Sequence, residues 1–252
     1  MLSFKLDALI LILTVAGSIA FMLAIDRLWP WEKRHVHNDL IGWHLSVLGT
    51  TYAVILGFML YAVWTNFGAA DLNVDLEANA LRNVYRIAEG LPEPQHSELQ
   101  KEARVYADAV VNQEWPEMSG GGLPEQSHAI NRNMWQIVMS SKPTSPSETL
   151  AEDHILSELT SLTEHRRVRL LQSQSRIPSI LWCVLIVGGI LTIGSACLFG
   201  SASPRLHSLQ VFAFSLLIVL ALLATADINR PFQGSVHVSV YAFQRAQQNM
   251  ND

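Results

Sequence analysis

The chain has 252 residues, half of them hydrophobic, and a formal net charge of −5 at pH 7. That balance excludes a nucleic-acid binder, which needs a basic face. No zinc spacing, glycine-rich phosphate loop or nucleophile elbow occurs, so no catalytic residue, metal site or cofactor is expected.

Four stretches carry no Asp, Glu, Lys or Arg: Ala8–Ile25, Ile41–Trp64, Ile177–Pro204 and Leu206–Ala226. Each reaches the roughly 18–20 apolar residues that a helix needs to cross a ~30 Å hydrocarbon layer. The first follows Lys5 and is closed by Asp26-Arg27. It exceeds the ~7–15-residue core of a cleaved signal and reads as an uncleaved anchor. Loop one, Arg27–Leu40, is short and contains Pro30; loop three is little more than Ser201–Arg205, so the last two spans form a tight antiparallel hairpin. Trp29, Trp31, Trp43, Trp64 and Trp182 fall at or near the expected span ends, where an amphipathic ring suits the headgroup layer. Cys183 and Cys197 lie about four helical turns apart in the third run, too far to bridge within a helix, and read as small apolar residues.

Between the hairpins lies a polar insert. Residues 66–177 hold 16 of the 22 acids and 10 of the 17 Lys and Arg. Leu72, Leu76, Ala80, Val84 and Leu91 recur at near-helical spacing, and Glu89-Gly-Leu-Pro92 ends that segment. Leu99, Ala103, Tyr106 and Val110 mark a second helix, stopped at Trp115-Pro116. Ser119–Leu123 reads as a flexible loop and residues 125–140 as a third helix. Ser145-Pro-Ser-Glu148 is a capping box with Pro at the first helical position. It opens a long helix through Ile155, Leu159, Leu162 and Leu170. Val236–Tyr241 alternates and suits either a strand or a terminal helix.

Lys and Arg near the span ends set the orientation. Lys5, Arg82, Arg86, Arg166, Arg167, Arg169, Arg176, Arg230 and Arg245 lie on the side of the insert and both termini. Arg27, Lys33, Arg34 and Arg205 lie on the other. The excess places the insert in the cytoplasm.

Small residues repeat every four positions: Gly49, Ala53 and Gly57 in the second span, Gly188, Thr192, Ala196 and Gly200 in the third, Ala16, Ala20 and Ala24 in the first. Such rows let helix backbones approach closely, within one chain or between subunits. One position on from the second-span row runs the stripe Thr50, Val54, Phe58, Ala62. It would line a narrow hydrophobic pore in an oligomer, although spacing alone favours the plainer role of facing lipid or the bundle core. Asp227, at the end of the fourth span, is a candidate on an ion path; its position equally suits water or a pair with Arg230. Glu77, Asn79, Arg82 and Arg86 have the spacing of ordinary surface pairs on a helix.

Tyr52-Ala-Val-Ile-Leu-Gly-Phe58 with Tyr61-Ala-Val-Trp64, Glu77-Ala-Asn-Ala-Leu81, Tyr85-Arg86, Glu114-Trp115 and Asp227-Ile-Asn-Arg-Pro-Phe-Gln-Gly234 resemble a family of largely uncharacterised, mostly bacterial membrane proteins called bestrophin-like. Leu56-Gly57-Phe58, Arg230-Pro231-Phe232 and the two-hairpin plan are also similar to true bestrophins, which are pentameric, mostly anion-conducting channels with a hydrophobic neck on the second span. That resemblance implies a neck at Thr50, Val54 and Phe58. Thr50 is polar where the family is apolar. Calcium-sensing bestrophins carry an acidic cluster just after Pro-Phe; here Gln233-Gly-Ser-Val-His-Val comes next, with no acid.

The expectation is therefore an all-α membrane protein, with four transmembrane helices as two hairpins around a cytoplasmic helical insert. The divisions fall at 1–65, 66–177, 178–227 and a cytoplasmic tail 228–252. The expected function is an oligomeric ion channel of the bacterial inner membrane, not an enzyme. Its partners are the lipid bilayer, inorganic ions and further copies of itself, with a pentamer implied by the resemblance. The alternative is a non-conducting scaffold or partner subunit whose insert docks other proteins.

Overall fold

The computed structural model describes residues 4–251, and every regular element among them is a helix. In chain order these are α1 (Phe4–Leu28), a short α2 (Trp31–Arg34), α3 (Asn38–Ile87), α4 (Gln95–Ala109), α5 (Trp115–Ser119), α6 (Gln126–Met139), α7 (Pro146–Gln174), α8 (Ser179–Cys197), α9 (Pro204–Ile228) and α10 (Tyr241–Asn251). The four helices long and apolar enough to cross a membrane are α1, α3, α8 and α9.

The second span and the first insert helix prove to be one element, the 50-residue α3. No Pro interrupts it. The capping box at Ser145 forms in modified guise. Ser145 Oγ accepts from the Glu148 amide at 3.2 Å, but the Glu148 carboxylate reaches back to the Thr144 amide at 2.6 Å, one residue earlier than expected. At the start of α9, Ser203 plays the same cap role, and Pro204 opens the helix. Residues 236–240 form neither strand nor helix; α10 begins only at Tyr241.

Trp115-Pro116 does not stop the second insert helix. After α4 the chain makes a π turn over Val110–Glu114 and continues into α5. Pro116 is the second residue of α5, directly after the π turn.

The chain divides into two compact units: Met1–Thr65 with Arg176–Asn229, and Asn66–Ser175 with Arg230–Asp252. In the first unit, α1 buries Val15, Ser18 and Met22, and Met22 packs with Cys197 and Val211. Two of its buried hydroxyls are satisfied within their own helices: Thr192 donates to Gly188 O and Thr225 to Ala221 O, both at 2.7 Å. Loop one is more than a connection. Arg34 is fully buried, bonded to Asp26 and, at 3.3 Å, to the Cys197 carbonyl. Asn38 exchanges two hydrogen bonds with Gly200, at 2.8 and 2.9 Å. A Cβ on Gly200 would lie 2.7 Å from the His35 amide nitrogen, so only glycine fits that approach.

The second unit has the larger core. Leu81, Val84, Leu99, Tyr106, Met118, Met134, Ile155, Leu159, Phe232 and Phe243 are all buried in it. The core draws on α3, α4, α5, α6, α7 and the segment after Arg230.

Candidate pore face and a buried ion network

The second unit closes around charge. Glu77 on α3 is fully buried rather than paired across a helix surface, as its spacing had implied. Arg169 on α7 holds it with two bonds, Nε to Oε2 at 2.7 Å and Nη2 to Oε1 at 3.0 Å. Arg169 Nη2 also donates to Glu114 Oε2 at 2.7 Å. The Tyr106 hydroxyl donates to Glu77 Oε1 at 2.7 Å. The other oxygen of Glu114 accepts from Arg166 Nη2 at 3.3 Å and from the Ser127 amide at 2.9 Å. Ser127 lies in the first turn of α6, whose amides have no intrahelical acceptor and favour an anion.

The π turn positions this cluster. Its extra residue rotates the next stretch of helix by about 100° relative to a regular continuation. Glu114 and Trp115 are both buried there. The Arg169 guanidinium lies 6.0 Å from the ring centres of both Trp115 and Phe243, a cation–π arrangement. Phe232 meets Trp115 edge-on at 5.5 Å. Two motifs far apart in sequence, Glu114-Trp115 and Arg230-Pro231-Phe232, are thus one piece of core.

Burial works against the charge of Glu114, but Arg169 and the bonds from Arg169 and Ser127 outweigh it and hold its carboxyl below the ordinary range. Burial likewise opposes the charge of Arg169, yet Glu77 keeps its guanidinium above its usual value. Burial, then Glu77, pushes the Tyr106 hydroxyl well up. Two carboxylates answer two guanidiniums, so the network suits a structural lock rather than proton transfer.

In the first unit, the stripe on α3 is turned away from the rest of its own unit. Thr50 is exposed, Val54 is 52% exposed and Phe58 70%. The small-residue rows behave unequally. Gly188 lies against Tyr52, whose Cδ2 would be 2.7 Å from an added Cβ. Thr192 is fully buried, and a Cβ on Gly49 would lie 4.0 Å from its Cγ2. The Ala196 carbonyl pairs with the buried His207 Nε2 at 3.1 Å. Ala53 is exposed, and nothing lies within 4 Å of a Cβ placed on Gly57. Ala16, Ala20 and Ala24 are exposed as well. Asp227 is half-buried in the last turn of α9. Asn229, two residues on, accepts from the Ile177 amide at 3.0 Å. Among the described residues no group of three His, Cys, Asp or Glu side chains is gathered for a metal.

The bestrophin-like domain matches residues 12–243. The chain belongs to the bestrophin-like family. Its fold is similar to crystal structures of point mutants of a bacterial bestrophin homologue from Klebsiella pneumoniae. One aligns with a TM-score of 0.73 at 12% identity, over 98% of this chain and 99% of the other. Another aligns with a TM-score of 0.71 at 14% identity, over 96% of each. No curated protein sequence matches the chain. At this bestrophin-like chain's own Pro231-Phe232, the residues do not fit the calcium clasp of calcium-sensing bestrophins. The stretch after Phe232 holds no carboxylate, and Gln233 instead turns its amide Nε2 to the Met118 carbonyl at 3.3 Å.

Proposed function

We propose that this chain assembles as a ring in the bacterial inner membrane and conducts ions along its axis, with Thr50, Val54 and Phe58 facing that axis. The observation that carries the reading is the i,i+4 stripe on α3, left open by the chain's own helices, in a member of the bestrophin-like family. Two large apolar side chains stacked on one helix face form a dewetting constriction when repeated around a ring. Ala53 and Gly57, equally open, are then placed to pack against a neighbouring copy, while Gly49, Gly188, Thr192 and Ala196 pack within the chain.

The insert and both termini lie in the cytoplasm. Discounting the buried Arg34, Arg166 and Arg169 leaves Lys5, Arg82, Arg86, Arg167, Arg176, Arg230 and Arg245 against Arg27, Lys33 and Arg205. The bias that sets orientation survives.

The test is ion flux from vesicles reconstituted with the purified protein. Replacing Val54 and Phe58 together by Ala should widen the ring and raise the flux. Asp227→Asn should shift the reversal potential away from cations, since a ring of carboxylates attracts them. A chain that forms no ring, or whose flux ignores the stripe, overturns the reading.

A further inference from the structure

The second unit contains a cavity of about 370 Å³ between α3 and α10, apart from the buried network. Asp75, Asn79 and Arg82 line it from α3, and Tyr241 and Arg245 from α10. Asp75, Asn79 and Arg82 fall at i, i+4 and i+7, one face of the helix. Arg82 is half-buried, while Asp75, Asn79, Tyr241 and Arg245 are exposed, so the cavity opens to solvent. Among the described residues, Asp75, Asn79 and Arg82 have no hydrogen-bond or ion-pair partner, and Arg245 only lies over the Tyr241 ring at 5.8 Å. Arg104, Arg166, Arg167 and Arg169 of the same unit each bond a protein oxygen, whereas Arg86, one turn on from Arg82, is unpaired among the described residues but does not line the cavity.

An unpaired guanidinium at a cavity is a carboxylate receptor, because its planar fork matches two oxygens at once. Here there are two, with an amide donor beside them. The cavity also carries one carboxylate, Asp75, which makes no ion pair with either guanidinium. Both signs of charge are therefore held open in one space of small-molecule size. A simple anion would answer the arginines and be repelled by Asp75. We infer that this cavity binds a small zwitterion of the free amino-acid class, its carboxylate on Arg82 and Arg245, its ammonium on Asp75, and its stem against Tyr241.

The test needs no membrane flux. The full chain, purified in detergent, is titrated calorimetrically with a panel of L-amino acids, and with acetate and methylammonium as probes of each charge alone. At least one amino acid should bind saturably, with both single-charge probes weaker by about tenfold or more, the size of one charge-assisted bond. Arg82→Gln and Arg245→Gln should each weaken the amino acid by about the same factor. Asp75→Asn should abolish its advantage over acetate. Arg167→Gln, an exposed arginine elsewhere on the unit, should change nothing, and unchanged melting temperatures exclude misfolding. No saturable binding of any amino acid overturns the inference. So does binding that ignores these substitutions, or a change of subunit number in Asp75→Arg without any ligand binding, which would make the cavity a contact between copies.

Discussion

Arg169 grips Glu77 through two bonds, at 2.7 and 3.0 Å, although the residues are 92 positions apart. Both side chains are fully buried, and the same guanidinium also holds Glu114. Arg169→Met should therefore leave Glu77 with the Tyr106 hydroxyl but no cation, and Glu114 with only Arg166 and the Ser127 amide. Loss of one member of a buried pair costs about 3–5 kcal/mol. Denaturant unfolding followed by circular dichroism should report a loss of that order. Arg169→Lys should recover only part of it, because an ammonium cannot span Glu77 and Glu114 as a fork does. Equal stability of Arg169→Met and the parent would exclude the lock.

Acid should loosen the same cluster. Burial raises the Glu114 carboxyl, but Arg169 and the Arg169 and Ser127 bonds outweigh it, so its folded value lies below its unfolded one. The stability it contributes is present above the unfolded value and is lost as pH falls through the folded value. Melting temperature should drop below about pH 4, where an ordinary carboxylate begins to protonate. Glu114→Gln should start less stable and show a flatter slope across that window.

Two glycines of the small-residue rows should part company. A Cβ on Gly188 meets Tyr52 at 2.7 Å, so Gly188→Ala should lower the stability of the chain itself, by about 1–3 kcal/mol for an overpacked contact. Gly57 has open space, so Gly57→Leu should leave the fold intact. If Gly57 faces a neighbouring copy, the same change should lower the subunit number seen by native mass spectrometry. An unaltered assembly would assign Gly57 to lipid.

Orientation is accessible to labelling. With Cys183 replaced by Ser and Cys197 left buried, a new cysteine near His37 should react with an impermeant reagent outside intact cells. One in the Ser119–Leu123 loop should react only after the membrane is opened. The opposite pattern would invert the topology.

The sequence by itself determined the helical class, the four apolar segments and the cap at Ser145, because hydropathy runs and capping residues act over a few neighbouring positions. It singled out Glu114-Trp115 without a role and read Glu77 as a surface acid. Periodicity places a residue on a helix face but cannot say what covers that face. Only the tertiary structure decided that α4 turns through a π turn instead of stopping at Pro116. The same holds for Arg34, burying its charge against Asp26 and the Cys197 carbonyl. Glu77 and Glu114 meet Arg169 from 92 and 55 residues away. A buried charge is stable only when its partner arrives from elsewhere in the chain, and that arrival is written in the fold, not in any local stretch.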